Sequence, residues 1–226
     1  MAAGAAMSPP ERTPGPPRPV VQYARTLLSA ADVQDLPRGI ELHLPPATQV
    51  TPLAWEEAAT RQIQIIEAAG RAEGASPVTV RGTAGITGRL TVALGADHGG
   101  FALKQQLKDY LAELGYTVTD VGCNGPEAVD YPDYAYAAAR LVATGSAAAA
   151  IIIDGAGIGS AMVANKVPGI RAALCYDVSS AQNSREHNHA NVLTLGAGLI
   201  GPTLARQIVK TWLETPWATG RHARRV

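Results

Sequence analysis

A short glycine-rich loop between an apolar run and a helical pattern is the first place where this sequence could carry chemistry. The stretch 150–166, AIIIDGAGIGSAMVANK, places Asp154 directly before Gly155, Gly157 and Gly159. Glycines let backbone N–H groups approach a ligand, and a helix N-terminus adds partial positive charge. The loop is therefore a candidate phosphate cradle, and the carboxylate at its mouth needs an explanation.

Two other interpretations of this loop stay open at the level of sequence. The glycines could serve only a tight turn that packs closely. Alternatively, Gly155, Gly157 and Ser160 nearly fit the dinucleotide pattern GxGxxG/A, with Asp177 as a ribose-binding acid. The position of the loop argues against a dinucleotide site, because it follows the third predicted strand of this region and no second half-domain follows.

Other polar residues of catalytic types also follow apolar runs. Asp97 and His98 suit binding of sugar hydroxyls or phosphate, and His187 is a candidate acid or base because imidazole titrates near neutral pH. Arg221 and Arg225 suit bidentate binding of phosphate. The competing interpretations are structural: Asp97 as a helix N-cap, His187 as a favourable charge at a helix C-terminus, and the arginines as a solvated tail.

The elements that must position these residues alternate regularly. Apolar runs followed by helical periodicity predict five strands and the helices between them. The strands are predicted at 91–97, 116–122, 147–155, 170–177 and 191–198. This alternation predicts an α/β fold, a Rossmann-like three-layer α/β/α domain with a five-stranded parallel sheet. In such sheets ligands bind at the carboxyl ends of the strands, where the candidate residues lie.

Composition excludes several classes of protein. The chain of 226 residues has 19 basic and 19 acidic residues, so no net basic field favours nucleic acid. It contains no run of 18 apolar residues that could span a membrane. Cys123 and Cys175 form no metal or disulfide pattern, and the start of the chain lacks the apolar core of a signal peptide. We expect a cytoplasmic protein without metal or cofactor.

The N-terminal part differs from the rest of the chain. Residues 1–20 are rich in Pro and Ala and predict a disordered tail. Residues 21–88 predict an accessory strand–helix extension and linker, with a strand at 40–44 and a helix at 51–70 that begins with Thr51-Pro52. One strand and one helix cannot form an independent core, so we expect this extension to dock or stay mobile. Residues 89–226 form the predicted catalytic domain.

Several motifs in one order are more specific than any single residue. They are GADHGGFALKQQL (95–107), DYPDYA (130–135), GAGIG (155–159), ANKVPGIRAALC (164–175), SREHNHANVLTLGA (184–197) and GRHARRV (220–226). Together they resemble the ribose-5-phosphate isomerase B / galactose-6-phosphate isomerase family along residues 90–226. The segment 41–59 is also similar to a short segment of proteins encoded with bacterial microcompartments, which implies a role in such a shell.

The resemblance implies aldose–ketose isomerisation of a sugar phosphate through an enediol, in a homodimer or dimer of dimers that needs no metal. It implies that His187 opens the sugar ring and that Arg221 and Arg225 hold phosphate across the dimer interface. Its further implied contacts are Asp97, His98 and Asn188 with the substrate, and Gly155, Gly157 and Gly159 in an anion hole.

The chain departs from the family at the catalytic base. One branch has a cysteine where this chain has Asp154, and another has a glutamate where it has Ser160. A carboxylate can transfer a proton between neighbouring carbons, so Asp154 is the predicted base. The alternative is a catalytically inactive module that binds sugar phosphate or serves microcompartment assembly, with Asp154 as a helix cap only.

Overall fold

The computed structural model describes residues 18–68, 86 and 90–226. The predicted disordered tail, except for residues 18–20, and nearly all of the predicted linker lie outside the described residues. The described residues of the N-terminal region form five short strands and two helices. These are β1 (Val20–Gln22), β2 (Leu27–Leu28), α1 (Ala30–Gln34), β3 (Glu41–Leu44), β4 (Gln49–Val50), α2 (Pro52–Thr60) and β5 (Gln64–Glu67).

Residues 90–226 are named the catalytic region because they include the candidate catalytic residues, and this region contains the sheet that the sequence predicts. Its elements are β6 (Thr91–Ala96), α3 (Phe101–Glu113), β7 (Thr117–Asp120), α4 (Tyr131–Ala143), β8 (Ala149–Asp154), α5 (Ile158–Ala164), β9 (Ala172–Leu174), α6 (Val178–Asn188), β10 (Val192–Gly196) and α7 (Pro202–Glu214). The five strands are parallel and run in the order β7-β6-β8-β10-β9. A 3-10 turn at Ala223–Arg225 ends the chain.

Helices cover both faces of this sheet. Successive strand residues point to opposite faces, and neighbouring residues of one strand accordingly pack into different cores: Ile151 with α3 and α7, and Ile152 with α4. Helix α7 packs on the sheet through an apolar stripe that is fully buried and includes Trp212. The predicted three-layer α/β/α architecture is therefore confirmed.

The N-terminal helix is shorter than the sequence predicts. Thr51 caps α2 by accepting the Ala54 N–H at 3.1 Å, and Pro52 occupies the first turn, as expected. The helix ends at Thr60 instead of Gly70, because Gln62 adopts a left-handed backbone conformation with φ of 58°. Residues beyond it pair with β3 as β5. The β-branched residues Ile63, Ile65 and Ile66 favour a strand once a partner strand is present.

The extension docks on α4 of the catalytic region. Leu27 joins the core beneath α4, and the Ala30 N–H donates to the Asp133 carboxylate at 2.8 Å. Asp133 is only 2% exposed. Strands β1, β3 and β5 form a separate parallel sheet with its own small core, which includes Leu42 and Ala58. The extension thus has more structure than one strand and one helix, and it contacts the catalytic region through a buried carboxylate.

Ile86 is the one residue between 69 and 89 that the structure describes, and it belongs to the catalytic core. Its side chain is buried among α3, α7 and the sheet. Its N–H donates to the Leu213 carbonyl at 2.8 Å, and its carbonyl accepts from the Tyr116 hydroxyl at 2.5 Å. The core of this domain therefore includes a residue before residue 89, where the sequence predicts the domain to begin.

Candidate active site

The candidate site lies where the chain direction around the sheet reverses. From β6 the chain continues to β7 on one side, while β8 pairs with β6 on the other side. Such a switch point leaves a crevice at the carboxyl ends of the two strands. Asp97 follows β6, and Asp154 ends β8. The two loops are in close contact here: a Cβ atom added at Gly99 would lie only 3.4 Å from the Gly155 nitrogen.

The Asp154 carboxylate is the anion that its own loop holds. One oxygen accepts the N–H groups of Ala156, at 2.8 Å, and Gly157. The other accepts the N–H of Ser160 at 3.1 Å and the Ser160 hydroxyl at 2.5 Å. A carboxylate offers about four lone-pair positions, and all are used. The backbone amides that suggested a phosphate cradle are thus partly engaged by this side chain, which is 5% exposed.

The three loop glycines serve different purposes. Gly157 has a φ of 78°, and a Cβ there would lie 2.5 Å from Leu174 Cδ1. A Cβ at Gly159 would lie 2.5 Å from the ring of Tyr131. Gly155 has nothing within 4 Å of its Cβ position, so the crevice is open beside it. Gly155 is therefore the one loop glycine that neither the backbone conformation nor the packing requires. It faces the space that a substrate could enter.

Tyrosines border this loop, and the sequence assigned neither of them a role. Tyr131, at the start of α4, lies against Gly159, and Tyr176 donates its hydroxyl to the Ala156 carbonyl at 2.8 Å. Both rings are more than one third exposed. Tyr131 is the first residue of α4, and Tyr176 lies two residues after the end of β9. These positions at the carboxyl edge of the sheet are the signal that could have identified them.

Asp97 differs from Asp154 in its hydrogen bonding. Its Oδ1 accepts the N–H of Gly100, the N-cap residue of α3, at 3.0 Å, and α3 has no side-chain cap. Burial raises the pKa of Asp97, the Gly100 bond and the neighbouring His98 oppose that rise, and the charge of Asp154 adds to it. The Nδ1 atom of exposed His98 accepts the Val129 N–H at 3.2 Å, so the neutral ring presents its Nε2–H. Asp97 and His98 thus lie on the crevice as predicted.

The remaining predicted residues form a second group at the end of α6. The Asn183 amide donates to His187 Nδ1 at 2.8 Å, which leaves Nε2 to carry the proton of the neutral ring. His222 stacks on His187 with ring centroids 4.2 Å apart and planes 9° apart. The Arg221 Nε–H donates to His222 Nε2 at 3.3 Å. Partial burial, and then the positive charges around it, lower the pKa of His222.

This C-terminal group is separate from the crevice. Strand β10 lies between β8 and β9, and α6 follows β9. Two strand spacings place β9 about 10 Å from β8. Within the described residues, no hydrogen bond, ion pair or ring contact joins the crevice residues Asp97, His98 and Asp154 to His187 or the terminal arginines. Asn188 follows His187 in α6, Arg225 lies in the terminal 3-10 turn that contacts α6, and both are exposed.

Two cavities elsewhere lie at the seam with the extension. Each measures about 310 Å³. The first is bordered by Leu53 of α2 and by Tyr136, Arg140 and Lys166. The second lies between residues 24–32 and the end of β7. No group of three His, Cys, Asp or Glu residues able to hold a metal ion occurs in the described part of the chain. No helix there is long and apolar enough to cross a membrane.

Comparison with known proteins matches the catalytic region to one family. The Ribose/Galactose Isomerase family matches residues 92–226. Ribose-5-phosphate isomerase B of Escherichia coli is 44% identical over 60% of this chain and 91% of its own length. D-erythrulose-4-phosphate isomerase of Pectobacterium atrosepticum is 44% identical over 61% of this chain and 91% of its own length.

Solved structures agree with this assignment. Ribose-5-phosphate isomerase B of Clostridium thermocellum aligns with a TM-score of 0.60 and 47% identity, over 61% of this chain and 93% of the other. The enzyme of Thermotoga maritima aligns with a TM-score of 0.60 and 43% identity, over 61% and 95% of the two chains. The share of this chain that aligns corresponds to its catalytic region. The chain belongs to the ribose/galactose isomerase family and is an isomerase.

Proposed function

We propose that the protein interconverts the aldose and ketose forms of a sugar phosphate through an enediol. The observation that carries this proposal is a crevice with two carboxylates beside an open glycine, accompanied by a separate cluster of histidines and arginines. The relatives named for ribose 5-phosphate and D-erythrulose 4-phosphate support a phosphorylated sugar of four or five carbons. The family name also includes galactose, so a hexose phosphate belongs in the test.

Each group has a part in this chemistry. Arg221 and Arg225 suit bidentate binding of the phosphate. His187, with Nδ1 occupied by Asn183, presents Nε2 to open the sugar ring. A carboxylate then takes the proton from one carbon and returns it to its neighbour. His98 and Asp97 bind the sugar hydroxyls at the crevice.

Two carboxylates could transfer the carbon-bound proton. Asp154 is the base that the sequence predicts, but it must first release a donor, and the Ser160 hydroxyl is the one donor that can rotate away. In the described structure the Asp97 carboxylate accepts backbone N–H groups but no side-chain donor, and burial raises its pKa. A raised pKa makes a carboxylate a better base near neutral pH. Geometry thus supports Asp97 as a competitor for a role that the family pattern gives to position 154.

The separation of the two residue groups supports an active site shared between subunits. We infer a homodimer, or a dimer of dimers, in which His187 of one subunit completes the crevice of the other. Ile158 and Met162 lie one turn apart on α5, directly after the loop, and are 47% and 63% exposed. Exposed apolar residues next to an incomplete site are typical of an interface.

The extension supports a proposal about location. We infer a cytoplasmic enzyme that can be enclosed in a bacterial microcompartment, on the similarity of segment 41–59 alone. The alternative function is a non-catalytic module that binds sugar phosphate or assembles with a shell. The hydrogen bonds that make Asp154 a loop cap are the observation that favours it.

A substrate screen followed by isotope exchange tests the function. Purified protein is incubated in D2O with ribose 5-phosphate, erythrulose 4-phosphate and galactose 6-phosphate. An enediol route places deuterium on the carbon next to the carbonyl of at least one sugar. Asp154→Asn and Asp97→Asn are compared. A loss of exchange by about 10²–10⁴ in a variant that stays folded and keeps the wild-type KM identifies the base. Binding with neither exchange nor interconversion of any of these sugars would contradict the enediol proposal.

A mixing experiment tests the shared site. Two inactive variants, His187→Asn and the inactive aspartate variant, are combined after separate purification. If each site uses both subunits, half of the randomly formed dimers have one intact site, which restores about a quarter of wild-type activity. Sites built within one subunit would stay inactive after mixing.

A further inference from the structure

Arg185 is a buried cation for which the proposed chemistry has no use. The side chain is 1% exposed. Its guanidinium lies between Trp212 and Trp217, 4.9 and 5.1 Å from their ring centroids. It donates to the Ala190 carbonyl and, at 3.3 Å, to the Thr215 carbonyl. No acidic side chain forms an ion pair with it in the described residues, so aromatic faces and backbone carbonyls compensate its burial.

These contacts join the end of α6 to the segment that follows α7. Trp217 also stacks on His189, with centroids 4.8 Å apart and planes 2° apart. His189 Nε2 donates to the Ala218 carbonyl at 2.9 Å, and the Ala218 N–H donates to the Glu186 carbonyl at 3.2 Å. Residues 215–218 are therefore held by α6 through side chains and backbone together.

The held segment leads directly to the residues proposed to bind phosphate. Three residues after Ala218 the chain reaches Arg221, and His222 then stacks on His187. The terminal 3-10 turn has no buried residue of its own. A segment without buried side chains has little packing to define its position. The position of the tail is thus decided at residues 215–218.

We propose that Arg185 is a positioning residue that places the C-terminal tail, with its arginines and His222, over His187. The Trp212–Arg185–Trp217 sandwich acts through the backbone of residues 215–218. The effect on phosphate binding rests on the proposed function, whereas the effect on the position of the tail does not. Burial lowers the pKa of Arg185 to about 10, so the residue is still charged at neutral pH.

The test uses Arg185→Met, which keeps an unbranched apolar stem but removes the planar charge. Binding of inorganic phosphate is measured by calorimetry, and the imidazole resonances of His187 and His222 by NMR. We expect at least a tenfold loss of phosphate affinity and loss of the ring-current shifts that the His187–His222 stack produces. Arg185→Lys should restore neither, because an ammonium lacks the planar face that fills the sandwich. If Arg185→Met does not fold, Trp217→Leu is used instead, because it removes only the aromatic ring that the tail segment contributes. It should cause the same loss of phosphate affinity and of the ring-current shifts.

Two controls separate positioning from general loss of stability. Ile208→Val removes one buried methylene from α7 and should leave phosphate affinity and the histidine resonances unchanged. Removal of residues 221–226 should weaken phosphate binding, and adding Arg185→Met to it should weaken binding no further. Additive losses, or unchanged histidine resonances in both Arg185→Met and Trp217→Leu, would overturn the proposal. Altered resonances without phosphate binding by the wild type would refute the phosphate role and leave the positioning role standing.

Discussion

At the scale of residues, Asp154 explains why an acid stands at the mouth of an anion-binding loop. Its carboxylate accepts from the amides of Ala156, Gly157 and Ser160 and from one hydroxyl. The loop therefore binds a negative charge that belongs to the chain. Removing that charge disturbs the loop whether or not Asp154 transfers a proton.

Asp154→Asn should lower the free energy of unfolding by roughly 2–4 kcal/mol. An amide nitrogen replaces one acceptor oxygen, so at least one buried N–H loses its partner and the other bonds lose charge assistance. From sequence alone this substitution is expected to keep the cap and the stability. Urea denaturation measures the difference.

Asp177→Asn is the matched control, because exposed Asp177 caps α6 through one bond to the Ser180 N–H at 2.7 Å. Asparagine caps helices nearly as well as aspartate, so little change is expected. Equal stability of Asp154→Asn and wild type would mean that the loop does not depend on this carboxylate.

Asp133 should make stability depend on pH through the seam with the extension. Burial raises the pKa of Asp133, despite its hydrogen bonds. Its stabilising contribution is therefore complete below the ordinary aspartate pKa of about 3.9, and it is lost as the pH rises through the folded-state pKa. As the pH rises from about 3.9 through the folded-state pKa of Asp133, the unfolding free energy of wild type should therefore fall relative to that of Asp133→Asn.

Unfolding titrations at several pH values measure this difference. Asp109→Asn, at an exposed position of α3, serves as the control and should run parallel to wild type. A constant difference between wild type and Asp133→Asn would mean that the buried carboxylate titrates as it does in the unfolded chain.

At the scale of elements, the β8–α5 loop separates conformational glycines from a functional one. Gly157→Ala should cost about 2 kcal/mol or more, since the left-handed backbone and the contact with Leu174 are both unfavourable for a Cβ. Gly155→Ala meets nothing within 4 Å and should unfold at nearly the wild-type temperature. Its methyl group enters the crevice, so substrate affinity should fall instead.

Thermal unfolding and KM for both variants test this division. Comparable Tm losses would show that Gly155 also has a structural requirement.

The C-terminal tail, residues 221–226, should contribute to substrate binding and little to stability. Removing residues 221–226 should raise KM for the sugar phosphate at least tenfold, because each charge-assisted bond contributes about 1.5–3 kcal/mol. The Tm should change little, since the tail buries no side chain fully. Steady-state kinetics and thermal unfolding of the same preparation test both parts, and an unchanged KM would remove the arginines from the site.

At the scale of the whole molecule, Ile86 decides where the catalytic domain begins. A chain that starts at residue 85 keeps Ile86 in the core and its bonds to Leu213 and Tyr116. A chain that starts at residue 88 loses them. We expect both to fold and to isomerise the substrate, but the shorter one should be less stable by about 1.5–3 kcal/mol.

Denaturation of the two truncated chains measures the contribution of Ile86, with the full chain as reference. Equal stability of the two truncated chains would show that the burial of Ile86 does not stabilise the domain measurably. Loss of activity in both would show that the docked extension, through Leu27 or Ala30, supports the active site.

The sequence by itself determined the architecture of residues 90–226. Apolar strands alternate with amphipathic helices, and these local periodicities are enough to predict a parallel sheet with helices on both faces. It also determined the start of α2, because the capping by Thr51 and the preference of Pro52 are properties of adjacent residues. The order of the motifs identified the family.

Tertiary structure decided what depends on distant partners. Residues 64–67 form a strand because β3 lies beside them, and Asp133 is buried because the extension covers it. Ile86 joined a core formed by residues far along the chain. The direction of the Asp154 side chain and the separation of His187 from the crevice likewise follow from packing. Neither follows from residue type, because the same residues at the same spacing could point into the crevice or away from it.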